Sequence, residues 1–152
     1  MRASLIAVGD RMPSWVNDGF AEYVKRLTRE LPLTLVEVSA KSRDPARAKD
    51  EEGRALLDAI PKNAHVVALD GRGQPLSSEE LAKELGRWRM LGKDIAFLIG
   101  GADGLSAAVL QRADQRWSLG PLTLPHPLVR IVVAEQLYRA ASQLSHHPYH
   151  RA

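Results

Sequence analysis

The sequence predicts an α/β protein: a mostly parallel sheet with helices on both faces. Three observations lead there. Short β-rich runs alternate with stretches of helical spacing along the whole chain. The run "DIAFLIGG" at 94–101 is almost uniformly apolar, as a strand covered on both sides is. The 152 residues contain no internal repeat, low-complexity tract or linker, so 1–152 reads as one domain around one core.

The elements follow in order. "SLIAV" (4–8) is a strand ended by Gly9. In "WVNDGFAEYVKRLTREL" (15–31), Trp15, Phe20, Tyr23, Val24, Leu27 and Leu31 recur near helical spacing. "LTLVEV" (33–38) is a strand, and a helix runs from near Pro45 toward Pro61. "HVVALD" (65–70) is the third strand, followed by a turn at Gly71 and Gly73. Ser77 with Glu80 forms a capping box, opening a helix that ends near Gly92. After the strand at 94–101 come a short helix at 105–113, a fifth strand in "QRWSLG", and a helix over 128–144. That last helix is apolar around most of its circumference, which predicts burial against a second copy of the chain.

Composition narrows the function. No window approaches a membrane span, and the N-terminal apolar run, ended by Asp10 and Arg11, reads as a strand and not a signal peptide. The absence of cysteine excludes disulfides and thiolate chemistry and fits a cytoplasmic protein. Net charge is +3, unevenly spread. Residues 105–152 carry Arg112, Arg116, Arg130, Arg139 and Arg151 against Asp114 and Glu135, with His126, His146, His147 and His150. A phosphate-bearing partner suits that third of the chain; so does a plain solvated basic face.

Five features carry the chemistry the sequence offers. "LDGRGQPL" begins like a dinucleotide fingerprint, but Leu76 replaces the third glycine, leaving a tight turn. "FLIGGADGLS" (97–106) ends an apolar strand on Gly100 and Gly101, where backbone amides can approach a ligand. No Lys-Ser/Thr follows, so it is not a triphosphate loop, and no carboxylate cluster supports a metal-dependent hydrolase. "HHPYH" (146–150) lacks the spacing of a metal site, so no metal is expected. Glu135 and Arg139 stand at i,i+4, the spacing of a helix ion pair.

The fifth is "SLGPLTLPHPLVR" (118–130). It is apolar enough to be buried, yet Gly120, Pro121, Pro125 and Pro127 prevent a regular helix or central strand. Buried irregular backbone needs hydrogen-bond partners. A heteroaromatic ligand such as adenine, against Leu119, Leu122 and Leu124, would supply them.

"LIGGADGLS", "WSLGPLTLPHPLVRIVVAEQLYRA" and the terminal "HPYHR" together closely resemble the RlmH (YbeA-like) family of the SPOUT superfamily. "AVGDRMPSWVNDGFAEYVKRL" resembles that family's opening, so the match spans nearly the whole chain. These are bacterial ribosomal RNA pseudouridine N3-methyltransferases. The resemblance implies an α/β fold with a C-terminal deep trefoil knot, a homodimer, and S-adenosylmethionine (S-adenosyl-L-methionine) as cofactor. It implies a cofactor pocket from Leu69, Gly100, Gly101 and the run Leu119, Gly120, Pro121, Leu122, Thr123, Leu124 and Pro125. It implies 23S ribosomal RNA in the large subunit or whole ribosome as partner. It also draws attention to Tyr149, His150 and Arg151 as catalytic, with Arg139 as a further candidate. In that reading His150 would accept a proton, and Arg151 would hold a phosphate or the developing imide anion. The alternative is a cofactor-free RNA-binding or ribosome-binding module, which leaves the glycine pair and the proline-rich run without a role.

Overall fold

Five strands pair in the order β2-β1-β4-β3-β5, every neighbouring pair parallel. The structure, a computed structural model, describes residues 1–27, 29–146 and 149. Along the chain run β1 (Ala3–Val8), α1 (Ser14–Leu27), β2 (Leu33–Val38), α2 (Pro45–Ala59) and β3 (His65–Pro75). Then come α3 (Ser78–Leu91), β4 (Ile95–Ile99), α4 (Ala107–Arg112), β5 (Gln115–Ser118) and α5 (His126–Leu144). No described helix is long and apolar enough to cross a membrane.

Side-chain alternation along the strands builds two cores. Leu5, Val67, Phe97 and Ile99 point to one face, where α1, α3 and α5 cover them. Ile6, Val66, Ala68 and Leu98 point to the other, under α2 and α4. The strand β4 lies between β1 and β3 and is buried on both faces, which explains its unbroken apolar run. Edge-on rings link the first core: Trp88 of α3 to Phe97 of β4 at 5.7 Å, and Phe97 to Trp117 of β5 at 6.2 Å.

The boundaries depart from expectation in four places. Helix α1 stops at Leu27 instead of 31; a turn then returns the Leu31 amide to the Leu27 carbonyl at 2.9 Å and buries Leu31. The predicted turn at Gly71–Gly73 is a bulge inside β3, which continues to Pro75. There Leu69 and Gln74 both lie opposite Trp117, so the register with β5 shifts. A Cβ on Gly73 would meet the Arg116 backbone at 2.7 Å, so only glycine lets the strands approach. Helix α4 is shorter than 105–113, capped by Ser106. Helix α5 begins at His126, before the expected 128, with Pro127 in its first turn, where a missing N–H costs nothing.

Candidate functional site

Because all strands run one way, their carboxyl ends and the loops that follow share one edge of the sheet. At the ends of β3, β4 and β5 lies an open cavity of about 370 Å³. Leu69, Asp70 and Gly71 come from β3; Ile99, Gly100, Gly101, Ala102 and Gly104 follow β4. Trp117, the run Leu119–Leu124, and His126 and Val129 of α5 complete the lining.

Nine of the ten sequence-derived pocket residues therefore meet around one space: Leu69, Gly100, Gly101, Leu119, Gly120, Pro121, Leu122, Thr123 and Leu124. Pro125 is not part of the lining; it caps the start of α5. Sequence reasoning missed eight lining residues: Asp70, Gly71, Ile99, Ala102, Gly104, Trp117, His126 and Val129. Asp70 directly follows a pocket residue, and His126 follows the proline-rich run, so adjacency was the available signal.

The middle of the 118–130 segment is not buried as its composition led us to expect. Leu122 is 78% exposed, and Pro121 and Thr123 are exposed too. The segment is a cavity wall rather than core. One of its amides is satisfied within the chain: Gly120 N–H donates to Ser118 Oγ at 3.1 Å, with φ at Gly120 of +111°. Among the described residues, the amides of Leu122, Thr123 and Leu124 find no backbone acceptor. They remain available to solvent or to an acceptor-bearing ligand.

The glycine loop opposite is tightly folded. Gly101 and Gly104 form a bridge, with Gly104 N–H donating to the Gly101 carbonyl at 3.1 Å. The Glu52 carboxylate of α2 lies against it; Oε2 is 3.0 Å from where a Gly101 Cβ would stand. Burial, and then the negative charge of Asp103, push the Glu52 carboxyl above its ordinary value.

At the cavity's other border, burial and then the Arg130 cation hold the His126 imidazole below its ordinary value. Arg130 is 1% exposed. Its Nη1 donates to Glu37 Oε2 at 2.6 Å, and Nη2 donates to the Gly9 carbonyl at 2.9 Å.

The tail candidates are elsewhere. Arg139 donates to Glu135 through Nε at 3.1 Å and Nη2 at 2.9 Å, so the expected ion pair forms. Tyr149 OH donates to the same carboxylate at 3.2 Å, and its ring lies tilted against Tyr138, centroids 4.4 Å apart, and beneath the Arg139 guanidinium. Burial, then hydrogen bonding to Tyr23, pushes the Tyr149 phenol up, so it is a donor and not a base at neutral pH. Neither Arg139 nor Tyr149 lines the cavity of its own chain. Arg139 lies ten positions beyond Val129 on α5, about 15 Å along the axis. His150 and Arg151 lie outside the described residues, as do His147 and Pro148. Among the described residues no group of three or more His, Cys, Asp or Glu is arranged to hold a metal.

A parallel α/β sheet with a ligand-sized cavity at its strand ends, walled by a glycine loop and a proline-stiffened loop, defines the class. The family model described as "Predicted SPOUT methyltransferase" matches residues 1–150. The chain is 60% identical, over all of both chains, to a "Ribosomal RNA large subunit methyltransferase H" of Xanthomonas axonopodis pv. citri (strain 306). It is equally similar to the protein of that name from Stenotrophomonas maltophilia (strain R551-3). Among solved structures, a probable methyltransferase from Bordetella pertussis Tohama I superposes with TM-score 0.58 at 18% identity, covering 92% of this chain and 96% of that one. At that identity the likeness concerns the fold. The chain belongs to the SPOUT methyltransferase family.

Proposed function

We propose that the protein methylates N3 of a pseudouridine in large-subunit ribosomal RNA, using S-adenosylmethionine, as a cytoplasmic homodimer acting on the ribosome. The reading rests on the family, on the name its full-length relatives carry, and on the resemblance of the motifs at 97–106 and 118–130.

The cavity carries the cofactor assignment. Its volume, about 370 Å³, falls within the roughly 300–1,000 Å³ of small-molecule sites. Apolar Leu69, Ile99, Leu119 and Val129 suit the faces of a purine, and the unpaired amides of Leu122–Leu124 suit its ring nitrogens. The residues fit the group. Bound there, the cofactor supplies an electrophilic methyl on a sulfonium.

The chain's own part is to orient and to handle a proton. The glycine loop and the 119–125 wall fix the donor's position. His150 accepts the N3 proton of the target base, and Arg151 holds the developing anion or an adjacent phosphate. Arg139 and Tyr149 are the further catalytic candidates. In one chain they pair with Glu135, well away from the cavity. That placement fits a homodimer in which the tail of one subunit serves the cavity of the other, within the knotted threading the resemblance implies.

Mass spectrometry of ribosomal RNA from a deletion strain tests the proposal. The expected result is one methyl lost from one pseudouridine and restored when purified protein and S-adenosylmethionine are added to those ribosomes. An unchanged modification profile overturns it.

A further inference from the structure

Arg130 is a buried cation that the proposed reaction does not use. A charge taken from water is expensive, and an apolar side chain of similar volume would fill the space at least as well. Yet the guanidinium sits almost wholly inside, on α5, one turn after the cavity wall ends. Its acceptors all belong to the far strands of the sheet. Glu37 lies near the end of β2, 2.6 Å away; the Gly9 carbonyl just past β1 is at 2.9 Å, and the Val8 carbonyl at 3.5 Å. A planar fork reaches such a set; a lysine ammonium, a single point of charge, does not.

The same turn of helix faces the cavity. His126, four residues earlier, and Val129, beside Arg130, both line it. The segment 119–125 is held at one end by β5 and at the other by α5, and its middle is exposed. Where α5 begins therefore decides where the wall stands.

We propose that Arg130 is the positioning residue of the cavity: fastened to Glu37 and to the Gly9 and Val8 carbonyls, it sets the start of α5 and with it the 119–125 wall. Where this concerns the cofactor it rests on the function proposed for the cavity.

The test compares Arg130→Met and Arg130→Lys with the parent by residue-resolved amide exchange, without cofactor, and by calorimetric titration with S-adenosylmethionine. The amides of Leu128 and Val129, which donate to Pro125 at 3.0 and 3.2 Å, are the reporters. Both variants are expected to exchange there roughly tenfold faster, with Leu137 to Ala141 unchanged, and to bind the cofactor roughly tenfold more weakly. Acceleration spread over the whole core would make Arg130 a general anchor and overturn the proposal. So would parental exchange at Leu128 and Val129, or rescue by lysine. If Arg130→Met does not fold, Glu37→Gln, which keeps a neutral acceptor, should show the same local pattern in weaker form; its absence there is equally contrary. If the parent protein takes up no cofactor, the assignment of the cavity falls, while the exchange measurement still decides the role of Arg130.

Discussion

Gly100 and Gly104 approach so closely that a Cβ on Gly100 would stand 2.7 Å from the Gly104 carbonyl carbon and 2.8 Å from its oxygen. Backbone cannot rotate aside as a flexible side chain does, so this turn admits no side chain at 100. Gly100→Ala is expected to cost about 1–3 kcal/mol by overpacking and to weaken cofactor binding. Gly71 lines the same cavity, and a Cβ added there would meet nothing within 4 Å. Gly71→Ala should stay within about 0.5 kcal/mol of the parent. Urea unfolding and calorimetry of the two variants check the contrast.

The His126 imidazole is held below its ordinary 6.5 by burial first and by Arg130 second. The unfolded chain therefore takes up this proton more readily than the folded one. Stability is fully expressed above the ordinary value and declines as pH falls through it toward the depressed folded value. His126→Gln should flatten the melting temperature between pH 7 and pH 5 relative to the parent, as thermal scans across that range would show. An unchanged slope would mean that His126 is as easily protonated folded as unfolded.

Glu52 behaves in the opposite sense. Its carboxyl is raised above 4.5 by burial and by Asp103, so the folded protein favours the protonated form. That contribution is present below the ordinary value and lost as pH rises through the folded one. Glu52→Gln should unfold at higher denaturant concentration than the parent at neutral pH, with the difference closing near pH 4. A variant less stable at neutral pH would show that the carboxylate holds the glycine loop through its charge.

The assignment of the tail makes a kinetic prediction. In single-turnover methylation, His150→Ala and Arg151→Ala should each slow the chemical step by about a hundredfold or more. Cofactor affinity, measured separately, should change less than about twofold, since neither residue belongs to the proposed pocket. Near-parental rates in both variants would remove the tail from catalysis.

Much of this architecture was legible in local pattern. The run at 95–99 has the continuous apolarity of a central parallel strand, and Ile95 to Ile99 are buried throughout. The capping box forms as written, with Glu80 N–H donating to Ser77 Oγ and Ser77 N–H to Glu80 Oε1. What escaped has a non-local cause. The glycines at 71 and 73 read as a turn, but the partner strand's Arg116 decides that they form a bulge. The order that inserts β4 between β1 and β3 leaves no trace in periodicity. Leu122 reads as the wall of a buried ligand site, yet it is exposed, because hydrophobicity does not distinguish an enclosed site from the rim of an open cavity. The roles of Arg130 and Glu37, which are 93 residues apart, needed the fold to bring them together.

In the function proposed above, the space between the glycine loop and the 119–124 wall receives S-adenosylmethionine. Isothermal titration of the purified protein with this compound tests it most directly. Saturable micromolar binding is expected, markedly weakened by Gly100→Ala and kept by Gly71→Ala. No heat of binding in the parent, or equal binding in both variants, would contradict it.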